Sequence, residues 1–260
     1  MDNGNDRLPF DPGEERLDVI NENLSLISRK RGLTFGTDSY LLAAFAKAVP
    51  SGRAAELGCG TAVASLLCAQ KGKYSFVTAA EIQEKYADLA RRNVELNGLK
   101  DKIAVVRADV RDLTEKDTGG PCDAVFANPP YMKSGAGKAN DEEEMTVARR
   151  EIFGGAEDFC GAAARLLKYG GSFSVVYRPD RTADLFCAMR GAGIEPKKMV
   201  AVYPYVDAPP CLILVEGRRG GAPGITVSRP LIIYSEHGRT DYTDDMAKIY
   251  EGFTFEHLIG

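Results

Sequence analysis

From Arg53 to Tyr177 short apolar runs alternate with longer stretches whose apolar residues recur at helical spacing. A strand that reaches its neighbour through a helix lies parallel to it, so this alternation restricts the chain to a doubly wound α/β sheet covered on both faces, the Rossmann-like class. Strands are expected at Arg53–Leu57, Ser75–Ala80, Lys102–Ala108, Cys122–Ala127 and Ser172–Tyr177, and helices at Ala62–Gln70, Gln83–Asn97, Ala156–Lys168 and Asp180–Arg190. Met199–Tyr203 and Cys211–Glu216 read as an antiparallel pair on the sheet edge, which brings a mostly parallel sheet to seven strands. Ahead of the alternation, Ser39–Val49 is amphipathic, with Thr37 or Asp38 as its N-cap and Pro50-Ser51-Gly52 as its stop. Leu24–Ile27 and Gly32–Phe35 suggest a short hairpin with a basic tip, Arg29-Lys30-Arg31. Residues 1–20 are polar and expected to be poorly ordered, and 21–260 to form a single domain.

A chain of 260 residues with 44% apolar and 27% charged residues can bury a sizeable core. No apolar run reaches membrane-spanning length and the N-terminus is too polar for a signal peptide, so a cytoplasmic protein that engages no membrane is expected. The cysteines are scattered without a Cys-x-x-Cys pair, and only His237 and His257 are present, both expected at the surface; neither a disulfide framework nor a metal site follows. A net charge of −4 argues against a protein that coats nucleic acid non-specifically, while leaving room for a local basic face. The candidate groups for such a face are Arg29-Lys30-Arg31, Arg149-Arg150, Arg178 with Arg181, Lys197-Lys198 and Arg218-Arg219. No internal repeat is visible, and a monomer is the expected state.

Four expected strands end in polar features. The first runs into Glu56-Leu57-Gly58-Cys59-Gly60-Thr61-Ala62, where glycines let the backbone turn sharply and a ligand lie close. The dinucleotide fingerprint would place a further glycine downstream, and none is there. The second ends at Glu81, beside Ile82; a carboxylate there can accept from both hydroxyls of a ribose, or cap the next helix. The third ends near Asp109 and Val110, suited to an exocyclic amine and an adenine face, or to capping a turn. The fourth ends in Asn128-Pro129-Pro130-Tyr131. Two prolines stop the strand and hold the following atoms rigidly with carbonyls free to accept, which suits gripping an amino group; a strand terminator with a packed tyrosine has the same composition. Open parallel sheets bind ligands at the carboxyl ends of their strands, so the four endings are expected to converge on one crevice.

In these residues the chain resembles the class I S-adenosylmethionine-dependent methyltransferases, over roughly residues 30–250. Glu56–Ala62 looks like their first motif, with Ala62 where the family usually has a third glycine, a departure that suggests a slightly tighter loop. Glu81 looks like their ribose-binding acid, Asp109 like the adenine-contacting acid, and Asn128–Tyr131 like the motif of enzymes that methylate an amino nitrogen. Within the class, Phe35-Gly36-Thr37-Asp38, Ala148-Arg149-Arg150-Glu151, Pro230–Tyr234 and Tyr242-Thr243 are similar to the bacterial tRNA adenine-N6-methyltransferases that act beside the anticodon of a valine tRNA. The resemblance implies an S-adenosylmethionine site formed by Thr37, Asp38, Glu56, Gly58, Gly60, Glu81, Ile82, Asp109, Val110 and Asn128, a catalytic motif of Asn128, Pro129, Pro130 and Tyr131, and no metal. The partner implied is a structured RNA, tRNA first. Three alternatives remain: N5-methylation of a protein glutamine, as in release-factor methyltransferases that share the Asn-Pro-Pro-Tyr motif; N-methylation of another nucleic acid base; and a protein that binds cofactor or RNA without transfer. Residues 132–148, polar and glycine-rich, read as a mobile loop beside the motif.

Overall fold

Adjacent residues of the central strands serve opposite cores. Ala54, Ala124 and Phe126 join the apolar cluster on one face of the sheet, whereas Ala55, Val125 and Ala127 join that on the other, so these runs are apolar throughout rather than alternating. The structure, a computed structural model, describes residues 10–30, 36–129, 154–238 and 241–259. Its strands are β1 (Glu15–Asn21), β2 (Leu24–Arg29), β3 (Val49–Leu57), β4 (Tyr74–Glu81), β5 (Ile103–Arg107), β6 (Cys122–Ala127), β7 (Leu167–Tyr177), β8 (Ile194–Tyr203), β9 (Leu212–Arg219), β10 (Thr226–Val227) and β11 (Leu231–Ile232). Among the described residues β3 to β11 form one sheet, ordered β10-β8-β9-β7-β6-β3-β4-β5, with β11 also on β8. The helices are α1 (Thr37–Phe45), α2 (Val63–Gln70), α3 (Glu84–Leu96), α4 (Ala156–Leu166), α5 (Thr182–Gly191), α6 (Asp244–Gly252) and α7 (Glu256–Ile259). Buried residues of α1, α2, α3, α6 and α7 contribute to one core, and those of α4 and α5 to the other. This is a Rossmann-like doubly wound fold.

The expected antiparallel pair is present as β8 and β9, and several details differ from expectation. The strand β9 inserts between β7 and β8 and runs against both, so β9 alone is reversed among the longer strands. The outer edge of β8 is covered by β10 and β11, both parallel to it, so the sheet exceeds seven strands. β2 forms a hairpin with β1, while the other expected arm, Gly32–Phe35, lies outside the described residues. Residues 15–20 are therefore strand rather than poorly ordered, and an Asx turn, with Asn23 N–H donating to Asn21 Oδ1 at 3.0 Å, closes the hairpin. The N-cap of α1 is Gly36, not Thr37 or Asp38, and the helix stops at Phe45 because Val49–Ser51 already belong to β3. Lys73 Nζ donates to the carbonyls of Ala43 (2.8 Å), Ala44 (2.6 Å) and Ala46 (2.7 Å), which satisfies the helix end in place of a basic residue in its own last turn. His257 is half-buried rather than at the surface.

The β1–β2 hairpin is docked by side-chain amides. Asn93, fully buried on α3, accepts from Ile27 N–H at 2.6 Å and donates to the Ile27 carbonyl at 3.0 Å and the Thr61 carbonyl at 3.2 Å. One helical turn on, Asn97 repeats the pattern with Ser25, accepting at 3.0 Å and donating at 2.8 Å. Residues at i and i+4 of a helix thus match alternate residues of a strand, and two amides take the place of a third strand along the free edge of β2.

Leaving buried backbone groups unpaired is costly, so Asn93→Leu is expected to destabilise the protein by about 2–4 kcal/mol. Asn97→Leu, at a less buried position, should cost less. Urea unfolding of the two variants measures the difference, and equal losses would show that burial does not set the cost.

Candidate active site

The four strands with polar endings are neighbours, in the order β6-β3-β4-β5. From β3 the chain winds outward through β4 to β5 and then returns to place β6 on the other side of β3. The switch point of the topology therefore lies between β3 and β6, where diverging connections open a crevice at the carboxyl ends.

Beyond Leu57 the chain follows β4 for one more residue, Cys59 N–H donating to the Ala80 carbonyl at 2.9 Å, and then turns into α2. Gly58 (φ 68°), Gly60 (φ 54°) and Ala62 (φ 64°) all adopt the left-handed conformation. Alternating left-handed residues curl a backbone into a concavity lined by N–H groups. Ala62 occupies the third such position although it carries a Cβ. A Cβ at Gly60 would meet nothing within 4 Å, so the loop is open there, whereas one at Gly58 would touch Phe159 at 3.4 Å.

Two carboxylates shape this loop. Glu56, only 4% exposed, accepts from the Ser65 N–H at 2.9 Å and from the Ser65 hydroxyl, in the first turn of α2. Its carboxylate is engaged by the helix beneath the loop rather than open to a ligand. Burial pushes its pKa up to about 7, against the opposing pull of the Ser65 bonds and with a smaller upward push from Glu81. Glu81 accepts from Gly60 N–H at 2.9 Å and from Gln83 N–H at 2.8 Å, joining the end of β4 to the glycine loop and to the start of α3; burial raises its pKa too. Ile82, between these contacts, is half-buried.

At the end of β5, Asp109 is held by Arg111 Nε at 2.9 Å and accepts from the Arg111 N–H at 2.9 Å; the guanidinium bond lowers its pKa. Arg165 of α4 fixes the same turn, donating to the carbonyls of Val110 (2.8 Å) and Arg111 (2.9 Å). Sequence reasoning missed Arg165, whose long stem and multiple donors suit it to pinning a turn from a helix behind it. On the other flank, Asn128 Nδ2 donates to Asp38 Oδ2 at 3.0 Å, bringing the first turn of α1, where half-buried Thr37 also sits, to the end of β6. Asn128 Oδ1 is buried with no hydrogen-bond partner among the described residues, and Pro129 is buried. Pro130, Tyr131, the segment 132–148 and Arg149-Arg150 lie outside the described residues.

Among the described residues the basic groups do not gather on one face. Arg178 and Arg181 follow β7 at the crevice edge, and each is paired with an acid, Asp180 and Asp184 respectively. Lys197 and Lys198 lie toward the amino-terminal end of β8, and Arg218 and Arg219 lie beside it at the carboxyl end of the antiparallel β9, away from the crevice. Arg29 pairs with Glu14 and Lys30 donates to the Pro12 carbonyl, both within the hairpin region.

A doubly wound sheet with glycines and carboxylates at its switch point is a nucleotide-binding architecture. The chain belongs to the methyltransferase small domain family, which it matches over residues 28–185. It is an S-adenosylmethionine-dependent methyltransferase. Over 186 residues it is 30% identical to the tRNA1(Val) (adenine(37)-N6)-methyltransferase of Bacteroides fragilis (strain YCH46), covering 72% of this chain and 77% of that one. The protein of that name from Vibrio cholerae serotype O1 (strain M66-2) is 25% identical over 210 residues, 81% of this chain and 85% of its own. Among solved structures, a predicted O-methyltransferase from Agrobacterium tumefaciens superposes with a TM-score of 0.66 at 25% identity, covering 84% of this chain and 99% of that one. TYW2 from M. jannaschii in complex with AdoMet shares the fold, with a TM-score of 0.55 at 14% identity over 79% of this chain and 85% of its own. Among the described residues no helix is long and apolar enough to cross a membrane.

Because burial raises the Glu56 pKa, the folded protein holds that proton more tightly than the unfolded chain does. The stability this contributes is complete below the ordinary carboxylate range and is lost as pH rises through about 7. Glu56→Gln should remove this part of the pH dependence, so unfolding free energies of the variant and the parent should diverge progressively up to about pH 7; a constant difference across that window would contradict the assignment. Ala62→Gly relieves a left-handed alanine and should stabilise by up to ~1 kcal/mol in a thermal melt, whereas a loss of stability would show the conformation to be unstrained.

Proposed function

We propose that this methyltransferase acts on the exocyclic N6 amine of an adenine in tRNA. The observation that carries the proposal is the Asn128 amide at the end of β6, whose buried Oδ1 has no partner among the described residues. A buried acceptor left unpaired costs free energy that a substrate N–H can recover. The names of the Bacteroides and Vibrio relatives support adenine in tRNA as the source of that N–H.

When bound, S-adenosylmethionine supplies a sulfonium methyl group open to attack by a nitrogen lone pair. The lone pair of an adenine amine is delocalised into the ring, which makes it a poor nucleophile. Asn128 Oδ1 and the Pro129 carbonyl can accept its two N–H groups and turn the lone pair out of the ring plane. Orientation of this kind supplies much of a rate enhancement without a strong general base. Tyr131, the last residue of the motif, is assigned to stacking on the extruded base. The open backbone at Gly60, the left-handed turn at Gly58, and Glu81 with Ile82 are assigned to the cofactor's methionine and ribose. Asp109 and Val110 are assigned to its adenine, which requires Asp109 to share its carboxylate with Arg111. Thr37 contributes from the first turn of α1, and Glu56 acts from beneath by fixing the loop.

Methyl transfer from labelled S-adenosylmethionine, run in parallel on total tRNA, total rRNA and release factors, tests the proposal. Label is expected in N6-methyladenosine from tRNA; label confined to protein would overturn it. Asn128→Ala should lower turnover at least about a hundredfold, as removal of one oriented hydrogen-bonding group does in other active sites, while S-adenosylhomocysteine still binds.

A further inference from the structure

The two ends of the Asn128 amide have opposite chemistry and nearly the same shape. A half-turn about its terminal torsion exchanges oxygen for nitrogen, and packing alone discriminates poorly between the two. The difference is decisive for an amine acceptor. With oxygen forward the side chain accepts a substrate N–H; with nitrogen forward, two donors face each other.

One neighbour separates the two states. Asp38 Oδ2 lies 3.0 Å from Asn128 Nδ2. An ionised carboxylate can only accept, so it bonds the nitrogen end and repels the oxygen end. The carboxylate is itself held, since its Oδ1 accepts from the Ser39 N–H at 2.8 Å. Behind it, α1 is firmly seated: Leu41 and Leu42 are fully buried, and the Tyr40 hydroxyl donates to the Tyr250 carbonyl at 3.2 Å. The opposite end of the amide, Oδ1, is buried and has no partner among the described residues.

We infer that Asp38 is a positioning residue: it locks the Asn128 amide with Oδ1 toward the acceptor nitrogen, a role distinct from holding cofactor. The inference rests on Asn128 as the amine-gripping group of the proposed reaction. It does not depend on which planar amine or amide is the acceptor.

The distinguishing variants exchange donor and acceptor. Asn128→Asp alone sets two carboxylates against each other and should lower kcat on the order of a hundredfold, the penalty for a misplaced catalytic group. Adding Asp38→Asn gives position 38 an amide that can donate to the new carboxylate, whose second oxygen then faces the acceptor. The double variant N128D/D38N should therefore recover about tenfold or more over N128D, since the hydrogen bond is restored with its roles reversed. In the single variant D38A, kcat should fall while the Kd for S-adenosylhomocysteine stays within about twofold, and retained binding also shows that the variant folds.

A double variant no more active than N128D would overturn the inference, as would a Kd that weakens in step with the fall in kcat. Activity is measured on whichever acceptor the parent enzyme labels, so an acceptor other than tRNA adenine overturns the proposed substrate and leaves the Asp38 test standing. An independent readout needs no acceptor at all. In isotope-labelled protein the Asn128 Nδ2 protons should show a hydrogen-bonded shift that D38A abolishes; an unchanged shift would overturn the inference.

Discussion

A buried carboxylate tied to the first turn of a helix sets the geometry of this site. Glu56 ends the central strand and Ser65 begins α2, and their hydrogen bonds close the turn between them. Within that closure the backbone must reverse in a few residues, which drives Gly58, Gly60 and Ala62 into the left-handed region. Taking a carboxylate out of water is expensive, and the raised pKa of Glu56 records the penalty. Donors at a helix N-terminus offset part of it. Glu81 then acts from the neighbouring strand, drawing the Gly60 N–H toward β4. The loop is thus held from below by one acid and from the side by another, while the space above Gly60 stays open.

Segments far apart in sequence support the two flanks of the crevice. On the glycine-loop side, Asn93 bonds both β2 and the Thr61 carbonyl, so the N-terminal hairpin and the loop share one anchor. On the Asn128 side, α1 is braced by the C-terminal helices. Tyr40 packs on Tyr250 with ring centroids 4.5 Å apart and Phe45 on Phe255 at 5.4 Å, while Lys73 caps α1 and lies 5.0 Å from the Phe253 ring centroid. Aromatic contacts of this kind add about 0.5–1.5 kcal/mol each beyond their buried area. Asp38 projects from the braced helix, so the C-terminal segment bears on Asn128 without touching it.

The sheet was readable because its strands obey one rule along their whole length. Cys122–Ala127 is buried on both faces and bounded by turn residues, and its limits coincide with β6. Legibility ended where a side chain's partner lies far away. The free edge of β2 is satisfied by amides of α3, and nothing local to Leu24–Arg29 announces that. Thr37 and Asp38 have the composition of helix caps, yet Gly36 occupies the cap and the Asp38 carboxylate reaches a residue 90 positions on. The Asn21–Asn23 turn was a local signal, and it lies directly after a stretch whose polarity suggested poor order. Glu56 was legible as an acid before a glycine loop, while its direction depends on Ser65 and could not be read from spacing.

On the proposed assignment, selectivity for nitrogen over oxygen would follow from the acceptors at the end of β6. A primary amine offers two N–H groups and a hydroxyl only one. On the proposed assignment, Asn128 Oδ1 and the Pro129 carbonyl form a pair of acceptors, and proline contributes no N–H of its own at that point. A hydroxyl would leave one buried acceptor unpaired, a loss of the size that lets hydrogen-bonding pockets reject analogues lacking a donor. The described basic groups are scattered or already paired with acids. On this proposal choice of the acceptor atom falls to the strand ending, and above all to which end of one amide faces forward.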